Sequence, residues 1–311
     1  MLGIIGSGFG LYGYLPAVVK NSDEKVALLS KAKLIFKNRP ELQFCEPNII
    51  WFDYEEYFFH SIETVIFSVP PKIQMEYIRN LVSFENIKTV ILEKPIGITP
   101  MDSDDVLNLL VGYKKRVRVG YIFQYTQWAE QLKQKIDSGR MIGRKIKIDW
   151  YFKAHHYKNN LCNWKRYESS GGSVLRFYGI QLLALISQLG YEEPVSSQTT
   201  MHSSDDYYRW EAVFMQNQLP TLEITINSDS EETFFNIDFI SDKESGKISL
   251  IDPFSRNNNN EVDKRSDILV RLLKDLGNDT QDIVSYNNYF RVNSLWKDVE
   301  NINLKLAGKA L

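Results

Sequence analysis

The sequence has few cysteines, little net charge and no long apolar segment. Two cysteines, Cys45 and Cys162, are too few for a disulfide framework and have no metal-ligand spacing. A formal net charge of −2 over 311 residues provides no field that would attract nucleic acid. No apolar run approaches the roughly 20 residues that a membrane-spanning helix needs. We therefore expect a cytoplasmic protein without a signal peptide, a bound metal, a nucleic-acid partner or a membrane partner.

The amino-terminal part alternates short apolar runs with helical segments. The runs predict strands at residues 2–5, 26–29, 49–52, 64–69, 89–92 and 116–120. Strands that alternate with helices are typical of a parallel sheet covered by helices. We place a domain boundary where this pattern ends, which gives predicted domains of residues 1–118 and 119–311.

The carboxyl-terminal part has a different periodicity. Ile146, Ile148 and Trp150 alternate with polar residues, which predicts a strand with one solvated face. Short polar turns join further predicted strands at residues 209–215, 221–226, 234–240 and 248–251, and they favour an antiparallel or mixed sheet. Helices are predicted at residues 174–189, 266–276 and 292–306, and a solvated loop at residues 257–260. The fold class that follows is α/β, with a parallel sheet and then a second sheet.

A glycine-rich turn follows the first predicted strand and precedes a helix. Its sequence is Gly6-Ser7-Gly8-Phe9-Gly10. Such a turn lets the backbone approach a pyrophosphate, and the helix N–H groups then point at the phosphates. The third small residue of the dinucleotide fingerprint would fall at Leu11, so we expect close helix–strand packing in another register. The alternative is a glycine turn in a Rossmann-like domain that binds nothing.

The end of the second predicted strand indicates which dinucleotide would bind. An acidic residue there would hydrogen-bond the adenosine ribose and repel a 2′-phosphate. The sequence instead has Ser30 and Lys31, with Lys33 nearby. A hydroxyl and two ammonium groups suit a phosphate, so the sequence favours NADP over NAD. Alternatively, both lysines are simply solvated.

These segments together resemble the Gfo/Idh/MocA family of glucose–fructose and inositol-type oxidoreductases. The matching segments are the glycine turn, Leu15-Pro16-Ala17, Val69-Pro70-Pro71, Glu93-Lys94-Pro95-Ile96-Gly97, and Gly171-Gly172 with Gly179. The resemblance implies a Rossmann dinucleotide-binding domain followed by an α/β domain with a large open, mostly antiparallel sheet. It implies NAD(P)-dependent chemistry on CH–OH or C=O groups of a small-molecule substrate, sugar-like or nucleotide-sugar-like. It also implies a homodimer or homotetramer formed through the second sheet.

The resemblance also implies the site residues. Lys94 would lie beside the nicotinamide and the substrate and assist proton transfer, because an amine there is a plausible proton partner. Glu93 would orient the loop, and Pro95 would fix it. The implied cofactor-binding residues are Gly6, Ser7, Gly8, Phe9, Gly10, Ser30, Lys31, Ser68, Val69, Pro70, Glu93, Lys94 and Pro95. The implied substrate-binding residues are Lys94, Gln124, Trp164, Lys165, Phe177 and Gln181.

The chain departs from the family where the usual proton-transfer pair would be. Phe177 falls at the aspartate position and Gln181 at the histidine position, and Gln74 replaces a further frequent histidine. Neither phenylalanine nor neutral glutamine can move a proton. Three hypotheses stay open: an active enzyme in which Lys94, Tyr178 and Gln181 serve the chemistry, a reductase of a conjugated substrate as in biliverdin reductases, and a non-catalytic dinucleotide-binding protein. Nearby, Arg176 would bind an anion or form a salt bridge.

Overall fold

The computed structural model describes residues 1–139, 141–240, 246–255, 265–277 and 282–308. They form two compact units. The first comprises Met1–Gly97, Asp102–Ile122 and the described part of Arg256–Asn287, and the second comprises Ile98–Met101 and the described parts of Phe123–Ser255 and Asn288–Leu311. The predicted domains 1–118 and 119–311 stay predictions, and the predicted loop at 257–260 lies outside the described residues.

The first unit contains a six-stranded parallel sheet. Its strands are β1 (Leu2–Ile5), β2 (Val26–Leu29), β3 (Ile49–Phe52), β4 (Thr64–Phe67), β5 (Thr89–Leu92) and β6 (Arg116–Val119). The order β3-β2-β1-β4-β5-β6 reverses between β1 and β4. Every residue of β1, β2 and β5 is buried. Burial on both faces explains why these strands are continuous apolar runs in the sequence.

The helices that the structure describes lie between and after these strands. In chain order they are α1 (Leu15–Asn21), α2 (Lys33–Lys37), α3 (Glu55–His60), α4 (Pro71–Leu81), α5 (Pro100–Gly112), α6 (Gln127–Asp137), α7 (His155–Lys158), α8 (Ile180–Gln188), α9 (Ser266–Lys274) and α10 (Asp282–Asn301). Pro71 begins α4, where its fixed φ suits the first turn. Within the described ranges, no helix is both long and apolar enough to cross a membrane.

The second unit contains a seven-stranded mixed sheet. Its strands are β7 (Lys145–Lys153), β8 (Pro194–Ser203), β9 (Asp206–Phe214), β10 (Thr221–Asn227), β11 (Asp229–Ile240), β12 (Gly246–Leu250) and β13 (Asn303–Ala307), in the order β12-β11-β7-β10-β9-β8-β13. β7 pairs in parallel with β10 and β13 with β8, while the other pairs are antiparallel. The predicted α/β class and the mostly antiparallel second sheet are confirmed.

The carboxyl-terminal end differs from the sequence prediction. A helix was expected at residues 292–306, but α10 ends at Asn301 and β13 follows it. Leu304 and Leu306 alternate with polar residues, which suits a strand. The Asn303 side chain accepts a hydrogen bond from Ser197 Oγ at 2.9 Å and donates one to Thr199 Oγ1 at 2.8 Å. The partner strand β8 was not predicted because its serines, threonines and glutamine lack an apolar pattern.

Candidate cofactor and substrate sites

The glycine turn lies where the strand order reverses. Gly6 has a φ of +130°, and a Cβ added there would lie 2.1 Å from the carbonyl oxygen of Ser68. Ser68, which follows β4, donates its N–H to the carbonyl of Ile5 at 2.8 Å. Only glycine combines this backbone conformation with this close approach. In open parallel sheets, ligands bind at the point where the strand order reverses, so the predicted turn is at the expected place.

The departure at Leu11 is accommodated by its neighbour. Leu11 is fully buried, and the first helical turn, Gly10–Tyr14, is π-helical. A Cβ on Gly10 would lie 3.0 Å from Cγ2 of Ile4, so the close helix–strand approach is made at Gly10. A Cβ on Gly8 would meet no heavy atom of the described residues within 4 Å. Space beside Gly8 is therefore open for a ligand.

A cleft of about 330 Å³ begins at this turn. It is lined by the ends of β1 and β2, by the segments that follow β1, β2 and β4, and by one face of α4: Ile4, Ile5, Gly6, Ser7, Leu28, Leu29, Lys31, Ala32, Val69, Ile73 and Tyr77. Four predicted cofactor-binding residues, Gly6, Ser7, Lys31 and Val69, thus border one cavity. Ser30 begins the short turn after β2, and Pro70 directly precedes α4. These residues fit the adenosine and pyrophosphate end of a dinucleotide.

Lys31 is engaged with two side chains that the sequence analysis did not select. Its Nζ donates to Glu55 Oε1 at 2.7 Å and to the Tyr77 hydroxyl at 3.3 Å, and Tyr77 donates to the same Glu55 oxygen at 2.7 Å. Lys33 instead lies 5.8 Å above the ring of Trp51. Neither lysine is therefore merely solvated.

The loop that contains Lys94 is held by a polar network. Tyr14 donates its hydroxyl hydrogen to Glu93 Oε1 at 2.7 Å. The Gln74 amide accepts the Glu93 N–H at 2.9 Å and donates to the carbonyls of Glu93 and Ile96, both at 3.0 Å. The Lys94 N–H donates to Glu93 Oε2 at 3.3 Å, and the Lys94–Pro95 peptide bond is cis. Gln74, at the place of a family histidine, braces this loop.

Two positively charged side chains, Lys94 and Arg265, influence the pKa of Glu93. Burial raises the pKa of Glu93, while the charge of Lys94, the hydrogen bond from Tyr14 and the charge of Arg265 oppose that rise. The Arg265 guanidinium lies 4.2 Å above the ring of Phe9, which also packs edge-on against Tyr14 at 5.4 Å. Phe9 thus links the glycine turn to the environment of Glu93.

The second unit brings three predicted substrate residues together. Phe177 lies in the π-helical turn Val174–Gly179 that precedes α8. Its ring meets the edge of Trp164 at 5.2 Å, and Lys165 Nζ lies 5.3 Å above it. Gln181 is 4% exposed, and its Oε1 accepts the N–H of Phe123 at 3.4 Å. Phe177, at the position where the family resemblance implies an aspartate, is therefore bordered by the ring of Trp164 and the ammonium group of Lys165.

Tyr178 lies in an aromatic cluster of the second unit. Its ring contacts Phe152 and Phe177 at 4.8 Å each and Trp150 at 5.7 Å. Burial raises the pKa of Tyr178 well above its ordinary value. The hydroxyl therefore keeps its proton at neutral pH, and a role as proton carrier stays a prediction.

Gln124 and Arg176 have protein partners. Gln188 Nε2 donates to Gln124 Oε1 at 2.6 Å. Arg176 binds the Glu300 carboxylate through two hydrogen bonds of 2.7 and 3.0 Å and also donates to the carbonyl of Glu168 at 2.9 Å. This favours the salt-bridge alternative for Arg176. In the part of the chain that the structure describes, no three His, Cys, Asp or Glu side chains are grouped to hold a metal.

Sequence reasoning missed Glu55, Tyr77, Tyr14 and Arg265. Glu55 could have been found, because it closely follows β3, which pairs in parallel with β2. The carboxyl ends of neighbouring parallel strands lie at the same sheet edge. Arg265 is more than 250 residues from Phe9 in sequence, and no local pattern connects them.

Comparison with known families supports this assignment of the first unit. Residues 1–121 match the GFO_IDH_MocA model, which describes an oxidoreductase family with an NAD-binding Rossmann fold. The first 121 residues of this chain are therefore similar to the Rossmann domain of the Gfo/Idh/MocA oxidoreductases. The predicted family and the NAD(P) class of cofactor are thereby confirmed. No curated protein matches the chain significantly.

Solved structures extend the likeness in fold to both units. KijD10, a 3-ketoreductase from Actinomadura kijaniata solved with NADP and TDP-benzene, is 13% identical with a TM-score of 0.71, over 99% of this chain and 98% of that one. The WlbA dehydrogenase from Bordetella pertussis, solved with NADH and UDP-GlcNAcA, is 11% identical with a TM-score of 0.75, over 96% of each. A super-repressor mutant of Gal80p from Saccharomyces cerevisiae is 12% identical with a TM-score of 0.74, over 96% and 94%. At these identities the likeness concerns the fold.

Proposed function

We propose that this protein is an NAD(P)-dependent oxidoreductase acting at a CH–OH or C=O carbon of a sugar or nucleotide-sugar-like substrate. The main support is the Lys94 loop, held by Glu93, Tyr14 and Gln74 in the unit that also contains the glycine turn. In this loop, Lys94 is partly exposed and directly follows the half-buried Glu93. When bound, the nicotinamide would supply hydride transfer to or from the substrate carbon.

The residues of this chain would bind the cofactor, transfer the proton and position the reacting groups. Backbone N–H groups of the turn from Gly6 to Gly10 would bind the pyrophosphate, and the cleft lined by Ser7, Lys31 and Val69 would take the adenosine. Lys94 would stabilise or transfer the proton on the substrate oxygen. Glu93 would hold the Lys94 backbone through the 3.3 Å hydrogen bond. Positioning of the two reacting carbons would supply much of the rate.

The substrate class is supported by the aromatic surface of the second unit. Phe177 and Trp164 offer apolar ring faces, and Lys165 offers a charge beside them. TDP-benzene and UDP-GlcNAcA, which the similar structures hold, both contain a nucleoside diphosphate. We infer that Gln124, Trp164, Lys165, Phe177 and Gln181 contact the substrate. A homodimer or homotetramer through the second sheet and a cytoplasmic location stay predictions.

Replacement of Lys94 tests this function. We expect Lys94→Ala to lower kcat by about 10²–10⁴-fold in a nucleotide-sugar panel followed by nicotinamide absorbance, because it removes the proton partner. Dinucleotide affinity should change far less than kcat, because the pyrophosphate and adenosine would be held by the glycine turn and its cleft. Lys72→Ala, an exposed lysine on α4, is the matched control and should leave kcat unchanged. Equal turnover by wild type and Lys94→Ala would refute the assignment of Lys94.

A regulatory, non-catalytic protein is the second candidate. Two observations favour it: Phe177 cannot transfer a proton, and Gln181 is buried with its oxygen on the Phe123 backbone. The fold likeness to a super-repressor mutant of Gal80p supports this candidate. Tight dinucleotide binding without turnover of any panel member would favour this candidate over the enzyme.

A further inference from the structure

Three residues at one edge of the parallel sheet form a hydrogen-bonded group, here called the Lys31 cluster. Lys31 lies in the turn after β2, Glu55 begins α3 after β3, and Tyr77 lies on α4 after β4. Glu55 Oε1 accepts hydrogen bonds of 2.7 Å from both Lys31 Nζ and the Tyr77 hydroxyl. The cluster thus joins segments that follow three different strands.

The Lys31 cluster borders the cleft that begins at the glycine turn. Lys31 and Tyr77 line the same cavity of about 330 Å³ as Gly6 and Ser7. In a Rossmann domain, the residue that ends the second strand meets the adenosine ribose of the dinucleotide. The 2′-position of that ribose bears either a hydroxyl or a phosphate, so charges at this edge discriminate between the two cofactors.

The ammonium of Lys31 is already neutralised by a carboxylate. Partial burial lowers the pKa of Lys31, but the hydrogen bonds to Glu55 and Tyr77 outweigh it and raise the pKa. Burial acts to raise the pKa of Glu55, and the bonds from Lys31 and Tyr77 outweigh it and lower the pKa. The two groups therefore stay oppositely charged around neutral pH. A 2′-phosphate would meet a paired ammonium and a repelling carboxylate.

We propose that Glu55 determines the nicotinamide cofactor preference by holding Lys31. The inference rests on the proposed function and refines it. While Glu55 is bound to Lys31, the edge accepts a ribose with a free 2′-hydroxyl, which can donate to the carboxylate. NADPH binds only when its 2′-phosphate competes with Glu55 for Lys31. The sequence of Ser30 and Lys31 taken alone predicts a preference for NADP. The carboxylate of Glu55 offsets that preference.

The expected effect is moderate because the cluster is partly solvated. The side chains of Lys31 and Glu55 are 63% and 46% exposed. Solvent and salt screen charges at such sites, so removal of one carboxylate should change the affinity ratio of the two cofactors by about tenfold.

Four variants and two cofactors test the inference. Nicotinamide fluorescence gives the Kd of NADH and of NADPH for wild type, Glu55→Gln, Tyr77→Phe and Lys31→Met. Glu55→Gln should shift the Kd ratio about tenfold towards NADPH, because Lys31 is released for the phosphate. Tyr77→Phe should shift the Kd ratio in the same direction but by a smaller factor, because Glu55 loses one hydrogen bond and still binds Lys31. Lys31→Met should weaken NADPH more than NADH.

The matched control is Glu56→Gln on the same helix. Glu56 is exposed, and its replacement removes the same formal charge beside Glu55. If Glu55→Gln and Glu56→Gln give the same Kd ratio while both cofactors bind, the inference is overturned and the proposed function stands. If folded wild type binds neither cofactor, the proposed function fails and this inference fails with it. Circular dichroism verifies the fold of each variant.

Discussion

The Lys94 loop of the first unit is held by polar side chains, whereas the helical turn around Phe177 in the second unit is packed with aromatic rings. In the loop, the half-buried Glu93 accepts a hydrogen bond from Tyr14 with its carboxylate and donates its backbone N–H to Gln74. In the helical segment, the position where the family resemblance implies an aspartate is Phe177, packed on Trp164. The difference teaches that the NAD-binding Rossmann part keeps its polar network, while the two positions at which the resemblance implies proton-transfer groups have the aromatic Phe177 and the neutral Gln181.

The largest expected effect concerns the glycine turn. Gly6→Ala should abolish dinucleotide binding and lower the free energy of unfolding by more than about 3 kcal/mol, because its Cβ would lie 2.1 Å from the Ser68 carbonyl. Gly8→Ala is the matched control, since its Cβ meets open space. It should leave urea unfolding unchanged and weaken only dinucleotide binding. Equal stability of the two variants would contradict the geometry of the turn.

The next effect concerns the brace of the Lys94 loop. Gln74 is fully buried, and Gln74→Leu would leave the carbonyls of Glu93 and Ile96 without this donor. We expect a loss of about 3 kcal/mol in urea unfolding, since each buried unpaired group costs about 1–3 kcal/mol, and a lower kcat. Gln43→Leu removes a partly exposed amide that also donates to carbonyls, and it should cost less and leave kcat unchanged. A wild-type kcat for Gln74→Leu would show that the brace does not position Lys94.

A smaller, pH-dependent effect belongs to the second unit. His156 is buried, and burial, with the charges of Arg166 and Lys165, lowers its pKa to about 4 against the opposing charges of Asp206 and Asp229. Its folded-state pKa is below its unfolded value of about 6.5, so the unfolded chain binds more protons between these values. The stability that neutral His156 contributes is complete above about pH 6.5 and is lost as the pH falls towards 4, by up to about 3 kcal/mol.

His156→Phe tests this dependence. Phenylalanine keeps a ring against Tyr157 and cannot titrate, so the variant should lose less stability than wild type between pH 6.5 and 4 in urea unfolding. The exposed His60 is the control, and His60→Phe should retain the wild-type slope. A wild-type slope for His156→Phe would mean that another group causes the acid sensitivity.

The first unit was more predictable from sequence than the second. Strands β1, β2 and β5 are buried on both faces, so their apolar runs identify them without tertiary information. The glycine turn was also predictable from the sequence. Its positive φ and its close approach to Ser68 require glycine at position 6, and a glycine is visible in the sequence. Leu11 replaces the third small residue of the fingerprint, and the neighbouring Gly10 allows the close helix–strand approach instead.

The features that the sequence did not predict depend on contacts between segments that are distant along the chain. Strand β13 exists because β8 offers it a hydrogen-bonding edge, and β8 itself is polar. Glu55 and Tyr77 meet Lys31 only after β2, β3 and β4 align in one sheet. Gln74 was noticed as a lost histidine, but its hydrogen bonds to the Lys94 loop become apparent only in the folded chain.

The most direct test of the proposed function is isotope transfer from the cofactor to the product. The protein would be incubated with reduced nicotinamide dinucleotide that has deuterium at both C4 positions, together with a panel of oxidised nucleotide-sugars, and the product masses would be measured by mass spectrometry. We predict a deuterated product with wild type and with Lys72→Ala, and far less with Lys94→Ala. A folded protein that binds the dinucleotide but transfers no deuterium to any panel member, or transfers it equally without Lys94, would contradict the proposed function.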